Sequence, residues 1–81
     1  MPVVFRVGNV RFLFYADEGE PREPIHIHAL EGDREAKFWI EPSIRMARNA
    51  GFRRHELNRI AVILEDRGHE IVEAWNEFFG I

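Results

Sequence analysis

Two histidines separated by one residue, His26 and His28, are the side chains of this sequence best suited to chemistry. Residues i and i+2 of a β-strand point to the same face, so both imidazoles could reach one ligand. Such a pair suits a metal centre, an acid-base catalyst or an anion site in which protonated imidazoles carry positive charge. Which of these three kinds of site is present depends on the residues that surround the pair.

A metal site is the kind that the neighbouring residues favour least. Two imidazoles are fewer ligands than the four that zinc usually takes, and the chain has no cysteine to complete the set. The strand pairing described below also places the ammonium group of Lys37 where a metal ion would sit. We therefore expect no metal and no other cofactor, and metal binding through the His-x-His pair is kept as an alternative.

The elements that must position the histidines are two β-hairpins in the first half of the chain. The first joins apolar runs at 3–7 and 10–15 through Gly8-Asn9, and the second joins 25–30 and 35–40 through residues 31–34. β-Branched and aromatic residues around a glycine-containing turn are typical of hairpins. A polar loop is expected at 16–24, and residues 43–50 suit either a strand or a helical turn, of which we favour a short fifth strand.

A two-residue loop at Gly32-Asp33 would fix which residues of the second hairpin stand opposite each other. His28 then faces Lys37, and His26 faces Trp39. The apolar pairs lie on the other side of the sheet: Ala29 with Ala36, Ile27 with Phe38 and Ile25 with Ile40. By the same reasoning, the first hairpin pairs Phe5 with Phe12 and Val3 with Phe14 on its apolar side.

The first hairpin also leaves Arg6 opposite Arg11 on its polar side, an unfavourable pairing unless an anion lies nearby. If both hairpins join one sheet, six cationic or aromatic side chains share the open face, with Tyr15 beside them. We call this the reverse face and predict that these six form the binding site: Arg6, Arg11, His26, His28, Lys37 and Trp39. The alternative is that the charges only keep an open sheet soluble and that Trp39 packs beneath a loop.

From Arg54 onward, apolar residues recur every three or four positions, as in an amphipathic helix. An unbroken helix would be ~39 Å long at 1.5 Å per residue, too long for a chain of this size, so a break near Gly68 is expected. The predicted core stripe is Leu57, Ile60, Ala61, Leu64, Ile71, Trp75 and Phe78. The predicted fold is therefore α+β: an antiparallel sheet of two hairpins, packed on one face by one or two helices, in a single domain over 1–81.

Composition limits the classes of function. The formal net charge of −3 argues against general affinity for nucleic acid, although basic residues can still cluster locally. The sequence has no cysteine and neither a visible leader nor a membrane-length apolar run, so we expect a cytoplasmic protein that does not contact the membrane. Chains this short are marginally stable, and formation of a homodimer would bury more surface and add stability.

The chain also resembles a known family, through a combination of short motifs spread along nearly all of its length. The motifs are Phe12, Phe14-Tyr15, His26-Ile27-His28, Ala36-Lys37-Phe38-Trp39, Pro42, Ala47-Arg48-Asn49, Gly51-Phe52, Glu56-Leu57 and Trp75-Asn76-Glu77. The family is domain of unknown function 4160, a group of small bacterial proteins. The resemblance implies a partner protein encoded by a neighbouring gene and a toxin–antitoxin-like role. Two departures are Ile25, where the family commonly has proline, and Arg53, where a helix-capping serine is common.

The leading interpretation is a protein-interaction module of a toxin–antitoxin-like pair that acts through the cationic reverse face. A second is a weak RNA-cleaving enzyme, or a nucleic-acid or anion binder, in which His26 or His28 acts as acid or base. Arg6, Arg11 or Lys37 would then hold phosphate. Because no second catalytic partner is evident in the sequence, we assign no catalytic residue.

Overall fold

The computed structural model describes residues 3–16 and 23–80. Its elements are β1 (Val3–Val7), β2 (Val10–Leu13), β3 (His26–Glu31), β4 (Arg34–Trp39), β5 (Arg45–Ala50) and α1 (Arg54–Phe79). Each strand pairs antiparallel with the next, so the sheet order is β1-β2-β3-β4-β5. This arrangement confirms the predicted α+β fold and the fifth strand. Most of the predicted loop at 16–24 lies outside the described residues.

The second hairpin has the predicted register. Its pairs include His26 with Trp39, Ile27 with Phe38, His28 with Lys37 and Ala29 with Ala36. Gly32 opens the turn with φ 61°, a left-handed conformation that glycine adopts without a steric penalty. The histidines therefore do share the reverse face with Lys37 and Trp39.

The first hairpin departs from its predicted register at one end. Phe5 pairs with Phe12 and Arg6 with Arg11 as expected, but Val3 pairs with Leu13 and not with Phe14. The register shifts between Val3 and Phe5, where a β-bulge sets an extra residue of β1 against β2. The prediction for Val3 was wrong because turn chemistry fixes the register beside the turn and a bulge can change it further along.

The core lies between the apolar face of the sheet and α1. Its residues are almost completely buried: Phe5, Phe12, Phe14, Ile27, Ala29, Ala36, Phe38, Ile40, Phe52, Ile60, Leu64, Ile71 and Trp75. Leu57 is partly buried against them. Phe78, predicted to be in the core, is 40% exposed; it lies near the end of α1, where its ring contacts Phe14 and Phe79.

The helix α1 is kinked, as its predicted length required. Arg67 has φ −112° and ψ 16°, which are outside the helical range, and Gly68 follows it. The Arg67 guanidinium lies 3.8 Å from the centre of the Phe5 ring and bonds to Glu70. Among the described residues, no helix combines the length and apolar character of a membrane span.

Glu56 stabilises the start of α1. Its carboxylate accepts the backbone N–H of Arg53 at 2.8 Å and two hydrogen bonds from Arg34, at 2.9 and 2.7 Å. The hydrogen bond from the Arg53 backbone and the one from the Arg34 side chain lower the pKa of Glu56 below its ordinary value. Glu56 therefore compensates for the absence of a capping serine at position 53.

Glu56→Gln is expected to destabilise the protein at pH 7 but not in acid. Because the pKa of Glu56 is lowered in the folded state, its carboxylate stabilises the fold above the unfolded pKa, and this contribution is lost as the pH falls through the folded pKa. Urea denaturation at pH 7 and about pH 3, below the ordinary carboxyl range, measures the difference. The exposed Glu65→Gln is the control, and a Glu56→Gln deficit that persists unchanged in acid would contradict the prediction.

Candidate functional site

Both histidines are on the reverse face, as predicted, but they are not on an open surface. His26 and His28 are each 0% exposed, and Lys37 is 9% exposed. The prediction of an open cationic face is therefore wrong at its centre. Of the six predicted binding residues, only Arg6 is well exposed, while Arg11 and Trp39 are half-buried.

Aromatic rings from other elements enclose the two histidines. The Tyr15 ring lies over His28 with ring centres 4.2 Å apart. The Trp75 ring, from the second half of α1, meets His26 at 5.1 Å, and Trp39 meets His26 at 5.5 Å. The sequence predicts that α1 covers the apolar face of the sheet, and past the kink Trp75 also reaches His26, the first residue of β3.

The carboxylate of Glu35 joins the residues around His28. Its Oε2 accepts a hydrogen bond from the Tyr15 hydroxyl at 3.0 Å and lies 3.2 Å from His28 Nδ1. Arg48 of β5 places Nη2 3.9 Å from the same oxygen. A carboxylate in this position can hold an imidazole in one orientation. Glu35 was missed, although extending the hairpin register by one pair, to Leu30 with Glu35, places it on the reverse face.

His26 is oriented by a backbone group. Its Nδ1 lies 3.0 Å from the carbonyl oxygen of Pro24. Since a carbonyl oxygen only accepts hydrogen bonds, Nδ1 carries the proton and donates it. The His26 ring is therefore both buried and held in one orientation, which is typical of a histidine with a structural role.

Lys37 is occupied by contacts within the protein. Its Nζ donates to Glu23 at 3.3 Å and lies 4.6 Å from the centre of the Trp39 ring. This ion pair and cation–π contact use the charge that was predicted to bind an anion. The centre of the reverse face is thus a packed polar cluster with few free charges.

The other two predicted cations lie together at the far side of the sheet. Arg6 and Arg11 stand opposite each other in the first hairpin, which confirms their predicted pairing. Arg6 is on β1 at one edge of the sheet, whereas Arg11 is on β2 and pairs with Leu30 of β3, two residues along that strand from His28. The structure does not bring all six predicted residues into one accessible site.

The contacts among the described residues bury both imidazoles. Within 3–16 and 23–80 there is no group of three or more metal-binding side chains placed to hold an ion. His28 Nδ1 lies 3.2 Å from Glu35 Oε2, and the imidazole is completely buried.

The opposite edge of the sheet carries a cluster of arginines that sequence reasoning did not single out. All six residues of β5 are exposed, and Arg53 and Arg54 are exposed just beyond the strand. We call Arg45, Arg48, Arg53 and Arg54 the arginine edge. Between residues 45 and 59 the chain has five arginines and a single acid, Glu56, and this imbalance was the available signal.

Arg34 links the arginine edge to the rest of the fold. It bonds to Glu56 of α1 and, at 2.6 Å, to Glu31 of β3, and its guanidinium lies 5.1 Å from the centre of the Phe52 ring. The side-chain hydrogen bond to Glu56 raises the pKa of Arg34 above its ordinary value. Because Arg34 pairs with the Glu56 carboxylate, the negative charge of Glu56 is balanced by Arg34. The positive charges of the arginine edge are therefore not neutralised by Glu56.

Comparison with known proteins identifies the family and nothing finer. No curated protein and no solved structure matches the chain. The family model described as a domain of unknown function (DUF4160) matches residues 9–76, from the first turn to the second half of α1. The matched range contains both histidines, Glu35 and the whole arginine edge. The chain belongs to the family of domain of unknown function 4160.

Proposed function

We propose that the protein is a small interaction module of a toxin–antitoxin-like pair and that its arginine edge binds an acidic surface of the partner protein. The observation that carries the proposal is the exposure of all six residues of β5, the last strand of the sheet. Membership of a family whose members resemble partners in two-gene arrangements supports the existence of a protein partner.

The charge distribution favours an acidic partner. The protein has a net charge of −3, yet the stretch from 45 to 59 has five arginines and one acid. A local positive region on an acidic protein steers a partner of opposite charge toward that region and repels it elsewhere. Arginine also pairs with carboxylates through two parallel hydrogen bonds, which fixes orientation as well as affinity.

The arginine edge contacts the buried polar cluster through Arg48 and Glu35. Arg48 is 59% exposed, while its guanidinium approaches Glu35 at 3.9 Å. Glu35 is in turn held by Tyr15 and lies against His28. In this proposal the histidines maintain the shape of the sheet next to β5 and do not touch the partner.

An RNA-cleaving enzyme is the second candidate, favoured by the contact between His28 Nδ1 and Glu35. A carboxylate that orients an imidazole is a common arrangement for acid-base catalysis. The complete burial of His28 weighs against it, because a phosphodiester cannot reach the imidazole without displacing Tyr15.

Arg45→Glu is expected to weaken binding of the protein encoded by the neighbouring gene by roughly tenfold, because one ion pair becomes a repulsion of about 1 kcal/mol or more. Arg6→Glu is the matched control: it makes the same charge change on the same face, at the opposite edge of the sheet, about 19 Å away at ~4.8 Å per strand. Titration calorimetry at two salt concentrations measures both effects, with circular dichroism to verify folding. Wild-type affinity should also fall as salt rises.

Equal losses from Arg45→Glu and Arg6→Glu would mean that only net charge matters, which would contradict the proposal. A larger loss from Arg6→Glu would move the site to the first hairpin. A single-stranded RNA probe is included in the same assay. If RNA is cleaved, and a folded His28→Ala variant no longer cleaves it, the enzyme interpretation replaces the interaction module.

A further inference from the structure

We infer that the partner contributes an extended segment that adds to the sheet as a sixth strand along β5, with acidic and apolar side chains in alternation. This inference rests on the proposed function and specifies its mode of binding. It follows from three properties of one edge: an unpaired backbone, arginines on one face and an apolar groove on the other.

The backbone of β5 is available for pairing. β5 is the last strand in the sheet order and pairs with β4 along one side only, so its other side presents backbone N–H and C=O groups outward. All six residues are exposed, so no described element covers that side. A partner strand of similar length would complete these hydrogen bonds, which is the general mode of strand addition.

The reverse face of β5 selects acidic side chains. Arg45 stands opposite Trp39 and Arg48 opposite Lys37, so both arginines project on the reverse face. Side chains of an added strand on that face would lie beside the two guanidinium groups. Glutamate or aspartate at alternate positions would match them.

The other face of β5 selects apolar side chains. A groove of about 510 Å³ lies between β5 and the first half of α1, and Met46 at its rim is 51% exposed. Its apolar lining consists of Phe38, Ile44, Met46, Phe52, Leu57 and Ala61. Since successive residues of a strand point to opposite faces, the residues between the acids would enter this groove.

A second copy of this chain is a poor occupant of the edge. Two β5 strands placed side by side would bring Arg45 and Arg48 of each copy together, and like charges opposite each other destabilise a strand pair. The register shift between Lys37 and Phe38 also sets an extra residue into β5, and bulges and charges both discourage self-pairing of sheet edges. The occupant we infer is therefore an acidic segment of a different protein.

Two capped hexapeptides of equal composition test the mode directly: Glu-Val-Glu-Val-Glu-Val and Glu-Glu-Glu-Val-Val-Val. We expect the alternating peptide to bind at least fivefold more tightly, to shift the backbone amide resonances of β5 and to slow their hydrogen exchange. Met46→Ala should weaken the alternating peptide more than the block peptide, because the alternating peptide can place three valines in the groove and the block peptide at most two. Equal affinities, or resonance changes centred away from β5, would overturn strand addition.

The intact partner protein separates this inference from the proposed function. If it binds with the expected dependence on Arg45 but gives the β5 amides no added protection from exchange, the interaction module stands and strand addition fails. If the alternating peptide docks on β5 while the protein from the neighbouring gene does not bind, the mode stands and the proposed pairing fails. Protection of β5 amides in both complexes supports the two together.

Discussion

Replacing Phe38 by alanine is expected to lower the free energy of unfolding by about 3–5 kcal/mol, the usual cost of truncating a buried aromatic side chain. Phe38 is 3% exposed, stands opposite Ile27 and belongs to the core cluster beneath α1. Removing its ring would leave a cavity that a rigid sheet cannot close. Urea denaturation followed by circular dichroism measures the change.

The control for Phe38→Ala is Val62→Ala, which truncates a side chain that is 68% exposed on α1. Surface changes of this kind usually alter stability by no more than about 0.5 kcal/mol. A loss below about 1 kcal/mol for Phe38→Ala would mean that its ring does not fill the core, which would contradict the strand register.

Replacing Trp75 by alanine is expected to cost a similar ~3–5 kcal/mol and, in addition, to open the buried polar cluster. The Trp75 ring packs edge-on against Phe14 and His26, and it also meets Phe79 at 4.3 Å. Removing it takes away the part of α1 that covers His26. The His26 imidazole should then become accessible to solvent.

Chemical modification of histidine by diethyl pyrocarbonate, mapped by mass spectrometry, measures that accessibility. The side chain of His69 is 91% exposed and should react quickly in both proteins, which makes it an internal reference. His26 should be protected in the wild type and react in Trp75→Ala, or in the milder Trp75→Phe if the alanine variant unfolds. Rapid modification of His26 in the wild type would refute its burial.

Much of the fold could be predicted because local sequence determines it. The two-residue turn Gly32-Asp33 fixed the pairing of His28 with Lys37, and the spacing of apolar residues after Arg54 indicated the helix and its break near Gly68. The bulge near Val3 could not be predicted, because turn chemistry constrains the register most strongly beside the turn. The exposure of Phe78 depends on how far α1 extends beyond the sheet, which the helical period does not specify.

The site was harder to predict than the fold, since it depends on contacts between distant parts of the chain. Alternation along β3 correctly placed His26 and His28 on one face, but it carries no information about what covers that face. Their burial comes from Tyr15, after β2, and from Trp75, in α1. The proposed site instead includes Arg45 and Arg48 of β5, whose six residues are all exposed and therefore leave little hydrophobic pattern in the sequence.

The order of the strands has a consequence for how the chain folds. Every strand pairs with its immediate neighbour in the sequence, so the sheet can assemble strand by strand, and the longest connection to be closed is the one between Leu13 and His26. Such topologies have low contact order and fold quickly. During synthesis, each hairpin can pair as soon as it is complete, whereas the apolar face remains uncovered until α1 docks. Docking of α1 is therefore the step that ends exposure of Phe12, Ile27 and Phe38 to chaperones and to aggregation.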